Sequence, residues 1–307
     1  MPLRVGPALQ GVPRGPVGGP CGSGRRYKAC HGDPSGVAQA YVSRPFAGVA
    51  SECDLIAMRE LVPSATAPLA LLDEGPEVTL CSLLPGAAPA LVRENGEIWL
   101  GLQVQHNFGD PSRDLGAVLV KALAAAADKE TGVVGLTEAP GPGPRLQDLI
   151  SPTELAVTVH EGYGFWLADA DRTPEMEAAL DQANNAALPT SRLASVEAAY
   201  WTSVGTKEHL RWVMPEPEDA LLDALARLHA ARKDSVAEGS RFVGMFRAHG
   251  VLAPVWDLPV GTGAAVLEEP AAAFHADLQA ALADTSPLSA EVRSARAGLA
   301  NRQVTIR

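Results

Sequence analysis

The sequence predicts an α+β fold, a mixed or antiparallel sheet with helices packed on it. Three observations carry this. Four times along the chain a strand-like run leads to a polar residue and a proline, then to an amphipathic stretch. Asn95-Gly96 sits between two short apolar runs, the signature of a hairpin turn. The 307 residues, 47% hydrophobic and 20% charged, are enough for an ordinary core in one large or two modest domains.

The elements follow in chain order. Residues 1–20 are rich in glycine and proline without periodicity, which predicts a disordered lead-in. Residues 21–36 form a compact Cys/His stretch, and residues 44–307 the α+β body. Leu55, Met58, Leu61 and Val62 have helical spacing after Ser51 and Asp54, and Pro63 ends that helix. Residues 78–84 read as a buried strand, and residues 90–92 and 98–105 as the hairpin arms.

The four strand–proline–helix units come next. Residues 98–104 lead to Asp110-Pro111, and residues 164–168 to Thr173-Pro174. Residues 210–214 lead to Glu216-Pro217, and residues 242–246 and 252–258 to Glu269-Pro270. A proline at the first helical position lacks only an N–H that would go unused, and its fixed φ suits the helix. Asp110 and Thr173 are good caps, and glutamates complement the helix dipole. The unequal spacing leaves a pseudo-duplication of strand–helix halves as one possibility. Residues 138–144, Glu-Ala-Pro-Gly-Pro-Gly-Pro, exclude helix and central strand, and mark either a subdomain break or a long surface loop. A last helix is expected over residues 290–300.

The formal net charge of -11 is unevenly spread. Residues 1–36 carry Arg4, Arg14, Arg25, Arg26 and Lys28 against Asp33 alone, so the remainder is strongly acidic. An acidic body argues against a broad nucleic-acid footprint, which needs clustered lysine and arginine. RNA or ribosome contact is therefore expected only through the basic N-terminus. No run of about twenty apolar residues predicts a membrane span. No apolar signal-peptide core is present, and four cysteines do not make a disulfide framework, so the cytoplasm is the expected compartment.

The densest chemistry lies in Cys21-Gly22-Ser23-Gly24-Arg25-Arg26-Tyr27-Lys28-Ala29-Cys30-His31-Gly32. Thiolates and imidazole are ligand types that zinc prefers. Gly22 and Gly24 allow a tight turn after the first sulfur. Arg25, Arg26 and Lys28 favour thiolate over thiol. Cys21, Cys30 and His31 are the candidate zinc ligands.

In the body, His209 and Arg211 are expected on one strand face, with Leu210, Trp212 and Met214 on the other. Arg211, Arg247, His249 and Asp257 are candidates to line one polar surface for a small anionic ligand. The alternative is a solvated sheet face whose arginines pair with nearby acids. His160-Glu161 point to opposite faces of an extended segment and do not form an acid–base pair. Gly261-Thr262-Gly263 lacks the third glycine of a dinucleotide fingerprint, and Gly205-Thr206-Lys207 lacks the upstream glycine of a phosphate loop. The five tryptophans read mostly as core.

The Cys/His stretch resembles the SEC-C zinc motif, found at the C-terminus of the translocation ATPase SecA and on many other bacterial proteins. Cys21, Cys30 and His31 match its second, third and fourth ligands, and Gly19 stands at the first. The resemblance implies zinc held by three residues and a borrowed fourth group, such as Asp33, a water or a distant side chain. By the same resemblance, the SecA knuckle contacts the secretion chaperone and the ribosome, which implies a translation- or secretion-related protein partner. Glu197-Ala198-Ala199-Tyr200-Trp201, His209 to Pro215 and Val255-Trp256-Asp257-Leu258-Pro259 resemble the DUF5926 family of high-GC bacteria, over about residues 44–305. That family implies no reaction and no site residues, so a non-enzymatic accessory or adaptor protein is the expected function.

Overall fold

Helix α1 (Glu52–Glu60) is short, yet every residue from Glu52 to Arg59 is buried. A helix buried on all sides belongs between layers. The computed structural model describes residues 41–167 and 173–305 of the chain, and in it α1 lies in a core shared by two sheets. Leu55, Ile56 and Met58 pack with Leu80, Ile98 and Leu100 of the first sheet and with Tyr200, Val251 and Ala253 of the second.

The first sheet has six strands in the order β5-β3-β4-β2-β1-β6. They are β1 (Ala65–Pro68), β2 (Val78–Cys81), β3 (Ala90–Val92), β4 (Ile98–Gly101), β5 (Gly132–Val134) and β6 (Thr158–Val159). The expected hairpin forms, with β3 antiparallel to β4 and Val92 opposite Ile98. Helix α2 (Pro111–Ala127) opens on its proline, and the Asp110 carboxylate accepts from the Arg113 N–H at 3.4 Å. Leu115, Val118, Leu119 and Ala122 then face the core. Residues 138–144 form a loop folded down on α2. A Cβ on Gly116 would lie 2.4 Å from the Pro144 carbonyl oxygen, so the close approach needs glycine there. The chain beyond this loop still contributes β6 to the first sheet, antiparallel to β1.

One expected strand is absent. Residues 164–167 form a 3-10 turn, in which the Trp166 indole donates to the Leu83 carbonyl at 3.1 Å. Trp166, Tyr163 and Trp99 make a separate cluster on the outer face of the first sheet, against helix α3 (Pro174–Ala186) through Leu180 and Ala183.

The second sheet runs β12-β10-β11-β9-β8-β7. Its strands are β7 (Thr190–Arg192), β8 (Ala199–Ser203), β9 (Glu208–Trp212), β10 (Arg241–Ala248), β11 (Val251–Leu258) and β12 (Gln303–Thr305). Leu210, Trp212 and Trp256 face helices α4 (Glu218–Ala230), α5 (Glu268–Ala283) and α6 (Ala290–Ala300) in a second core. The prolines here sit differently than expected. Pro217 caps α4 from outside it, and Pro270 is the third residue of α5, which continues from a 3-10 turn over residues 265–267.

The two strand orders correspond, but their senses do not. β2 runs parallel to β4, whereas β9 runs antiparallel to β11. β3 is antiparallel to β5, whereas β10 is parallel to β12. The halves share an arrangement of strands without sharing a chain path, so they are not a simple repeat.

Candidate functional site

The candidate zinc ligands Cys21, Cys30 and His31 lie outside the described residues. Among the described residues, no group of three or more His, Cys, Asp or Glu side chains is placed to hold a metal ion. Cys53 and Cys81 are free and buried. Burial, aided by the charges of Glu52, Glu216 and Asp54, pushes the Cys53 thiol up to about 12. Burial also pushes the Cys81 thiol up. Thiols held protonated in this way are poor metal ligands and poor nucleophiles.

The four residues expected to share a polar surface do not converge. Arg247 sits opposite Leu252, on the face of the second sheet that meets α4. Its Nε donates to Glu218 at 2.8 Å and its Nη2 to Gln303 at 2.9 Å. His249 lies in the β10–β11 turn with φ 49°, and its Nε2 is 2.7 Å from the Glu60 carboxylate of α1. Asp257 meets Lys207 and Arg241, each at 3.2 Å, and lies 3.0 Å from His209 Nδ1. Arg211 is on the same face as Asp257, opposite Val255 and Tyr200. Its Nε is buried without a hydrogen-bond partner, and burial pushes its guanidinium pKa down. Three of the four are therefore held by neighbours, while Arg211 is not.

The structure instead brings together a set that sequence reading passed over. Asp54 of α1 is 5% exposed. Arg192 of β7 donates to it through Nε and Nη2 at 3.0 and 2.9 Å, and the Tyr200 hydroxyl at 2.5 Å. The hydrogen bond to Asp54 pushes Arg192 up, and burial pushes the Tyr200 phenol up. Asp54 accepts from both partners, so this cluster joins α1 to the second sheet. Asp54 and Arg192 line a cleft of about 240 Å³, and a second of about 360 Å³ shares Cys53, Glu197 and Pro215 with it.

A smaller notch has a different character. Arg59, His106, Asn107 and Asp114 line it together with Val104, Leu115 and Leu136. Arg59 is 7% and Asp114 6% exposed. Asp114 Oδ2 accepts from the Phe108 N–H at 2.9 Å, while its Oδ1 is buried with no partner. Burial pushes Asp114 up and Arg59 down. Buried, perturbed charges in a cleft mark candidate sites. In the sequence, Asp114 reads only as an acid in the first turn of a helix, and no local signal sets it apart.

The glycine stretch at residues 261–263 is already occupied. Gly261 and Gly263 donate their N–H groups to the Glu208 carboxylate at 2.6 and 2.9 Å, and the Trp201 indole donates to it at 2.8 Å. A protein carboxylate thus takes the donors that a phosphate would need. His160 is also committed, with Nε2 2.8 Å from the Thr66 hydroxyl and its ring against Phe165.

No helix among the described residues is long and apolar enough to cross a membrane. Residues 20–33 match the SEC-C motif, the segment that carries Cys21, Cys30 and His31. No curated protein and no solved structure matches the chain. Residues 45–307, spanning both sheets and α1–α6, match a family of unknown function, and the chain belongs to that family, DUF5926.

Proposed function

We propose that this chain is a zinc-binding accessory protein of the cytoplasm, non-enzymatic, which contacts a protein partner through its SEC-C segment. The observation that carries the reading is the match of residues 20–33 to the SEC-C motif, with two thiols and an imidazole in it. That donor set suits zinc. Cys21, Cys30 and His31 would hold the ion, and Asp33 or a water would complete four ligands. Cys53 and Cys81, whose thiols burial keeps protonated, argue against a thiol borrowed from the body. Zinc binding couples to folding, and Arg25, Arg26 and Lys28 make the segment basic, which suits an acidic partner. By resemblance, such a partner belongs to translation or secretion.

The test is zinc content by elemental analysis of the full chain, wild type against Cys21→Ser with Cys30→Ser. Zinc near one per chain, lost in the double variant while the body's Tm is unchanged, is the expected result. Crosslinking in cells then compares the two proteins. Partners lost with the zinc support the adaptor role, and identical partner sets remove it.

A second reading rests on Arg211 alone. A half-buried arginine whose Nε is buried without a partner, in a chain of net charge -11, suits a small carboxylate or phosphate. Calorimetric titration with phosphate and with acetate, against Arg211→Gln, tests it. Heat that saturates only in the wild type supports a ligand there, and equal heats leave Arg211 structural.

A further inference from the structure

The notch beside α2 combines three features that no other described cleft unites. It has apolar walls from Val104, Leu115, Val118 and Leu136, two buried opposite charges, and a carboxylate oxygen without a partner. A buried polar atom left unpaired costs free energy, and native structures rarely retain one without a role. Arg59 does not relieve it. Its Nη1 donates to the Leu102 carbonyl at 2.6 Å and its Nη2 to Asn107, while its Nε, 3.3 Å from Glu60, is itself buried without a hydrogen-bond partner.

We propose that this notch is a binding site for a small hydroxyl-bearing molecule, an alcohol or polyol, whose O–H donates to Asp114 Oδ1 beside the Arg59 guanidinium. The chemistry selects the class. Asp114 Oδ1 accepts, so the ligand must donate. An ammonium would meet the buried guanidinium of Arg59, and a carboxylate or phosphate would meet Asp114, so a charged ligand faces a like charge at either residue. A neutral hydroxyl faces neither penalty. The cavity of about 20 Å³ accommodates roughly one water-sized group. Only the hydroxyl end enters, and the rest of the ligand lies over His106 and Asn107, both exposed at the rim. Walls of valine and leucine suit the adjoining carbon.

The experiment titrates methanol, methylammonium chloride and sodium formate into the full-length protein, at matched concentration and ionic strength. The readouts are the Phe108 backbone amide, which is bonded to Asp114, and the Arg59 Nε–H, both followed by NMR. Methanol is expected to shift both signals along a saturating curve, while the two ions give only linear drift. In Asp114→Asn the carbonyl stays on the Phe108 N–H and the amide NH₂ replaces Oδ1. The variant is expected to gain saturable binding of formate, to which the amide NH₂ donates, while methanol, whose oxygen accepts from that NH₂, keeps binding. If the variant does not fold, the ranking of probes on the wild type decides alone. Saturation by either ion in preference to methanol overturns the proposal, and so does the absence of saturation by all three.

Discussion

The four cysteines fall into two pairs, and the pairs are chemically opposite. Cys53 and Cys81 are buried, and burial raises their thiols far above physiological pH. Cys21 and Cys30 stand among glycines and basic residues, next to His31. The same side chain is core filler in one region and, under the proposed function, a metal donor in the other, because neighbours set its protonation. The difference teaches that burial separates a thiol that stays protonated from one free to ionise. The body's two thiols are buried, and among its described residues there is no cluster of His, Cys, Asp or Glu placed to hold an ion.

The sharpest way to break this comparison is thiol labelling of the native, chelator-treated protein at pH 8. Two thiols are expected to react fast and the other two only after denaturation. Four fast thiols would show that the body pair is not shielded.

The next largest effect tests whether the body stands on its own network. Asp54→Ala strips Arg192 of its carboxylate, leaving it only the Leu193 carbonyl, and leaves the buried Tyr200 hydroxyl unpaired. Breaking a buried pair costs about 3–5 kcal/mol, and the partly exposed Arg192 places this one at about 3 kcal/mol. A drop in denaturation midpoint without change in zinc content is the expected result. Tyr200→Phe removes one bond to a charged group, so about 1.5–3 kcal/mol is expected.

Glu208→Gln is the milder test. Burial pushes Glu208 up, but the N–H groups of Gly263 and Gly261 and the Trp201 indole pull it further down, so its pKa lies below the ordinary 4.5. A depressed folded-state pKa gives stability that is fully present above the unfolded value and lost as pH falls through the folded one. The wild type is therefore expected to lose stability below pH 4.5, and Glu208→Gln to flatten that acid slope at a cost of about 1–3 kcal/mol near neutrality. Parallel acid curves for the two proteins would show that the carboxylate is not a proton-linked staple. The smallest effect is on zinc itself, where Cys53→Ala is expected to change nothing.

Local signals in the sequence proved legible, and register did not. Asp110-Pro111 and Asn95-Gly96 specify a helix start and a turn through neighbouring residues, and both form. Residues 164–167 read as a strand because Phe165 and Trp166 favour one, but Trp166 finds its partner in the Leu83 carbonyl and the backbone turns. The polar surface proposed for Arg211, Arg247, His249 and Asp257 depends on which residues pair across strands. Arg247 opposes Leu252 and so takes the face opposite Asp257, while His249 falls in the turn. Pairing is set by the whole sheet, which explains why composition alone did not reveal it. Asp54 and Asp114 were equally hidden, since an acid early in a helix is ordinary until its distant neighbours are known.

The central claim is zinc on Cys21, Cys30 and His31, and native mass spectrometry of the purified full chain tests it most directly. The account predicts one zinc per chain in the wild type and none after Cys21→Ser with Cys30→Ser, with the folded charge-state envelope unchanged. A native wild-type protein, purified without chelator, that carries no metal would contradict it.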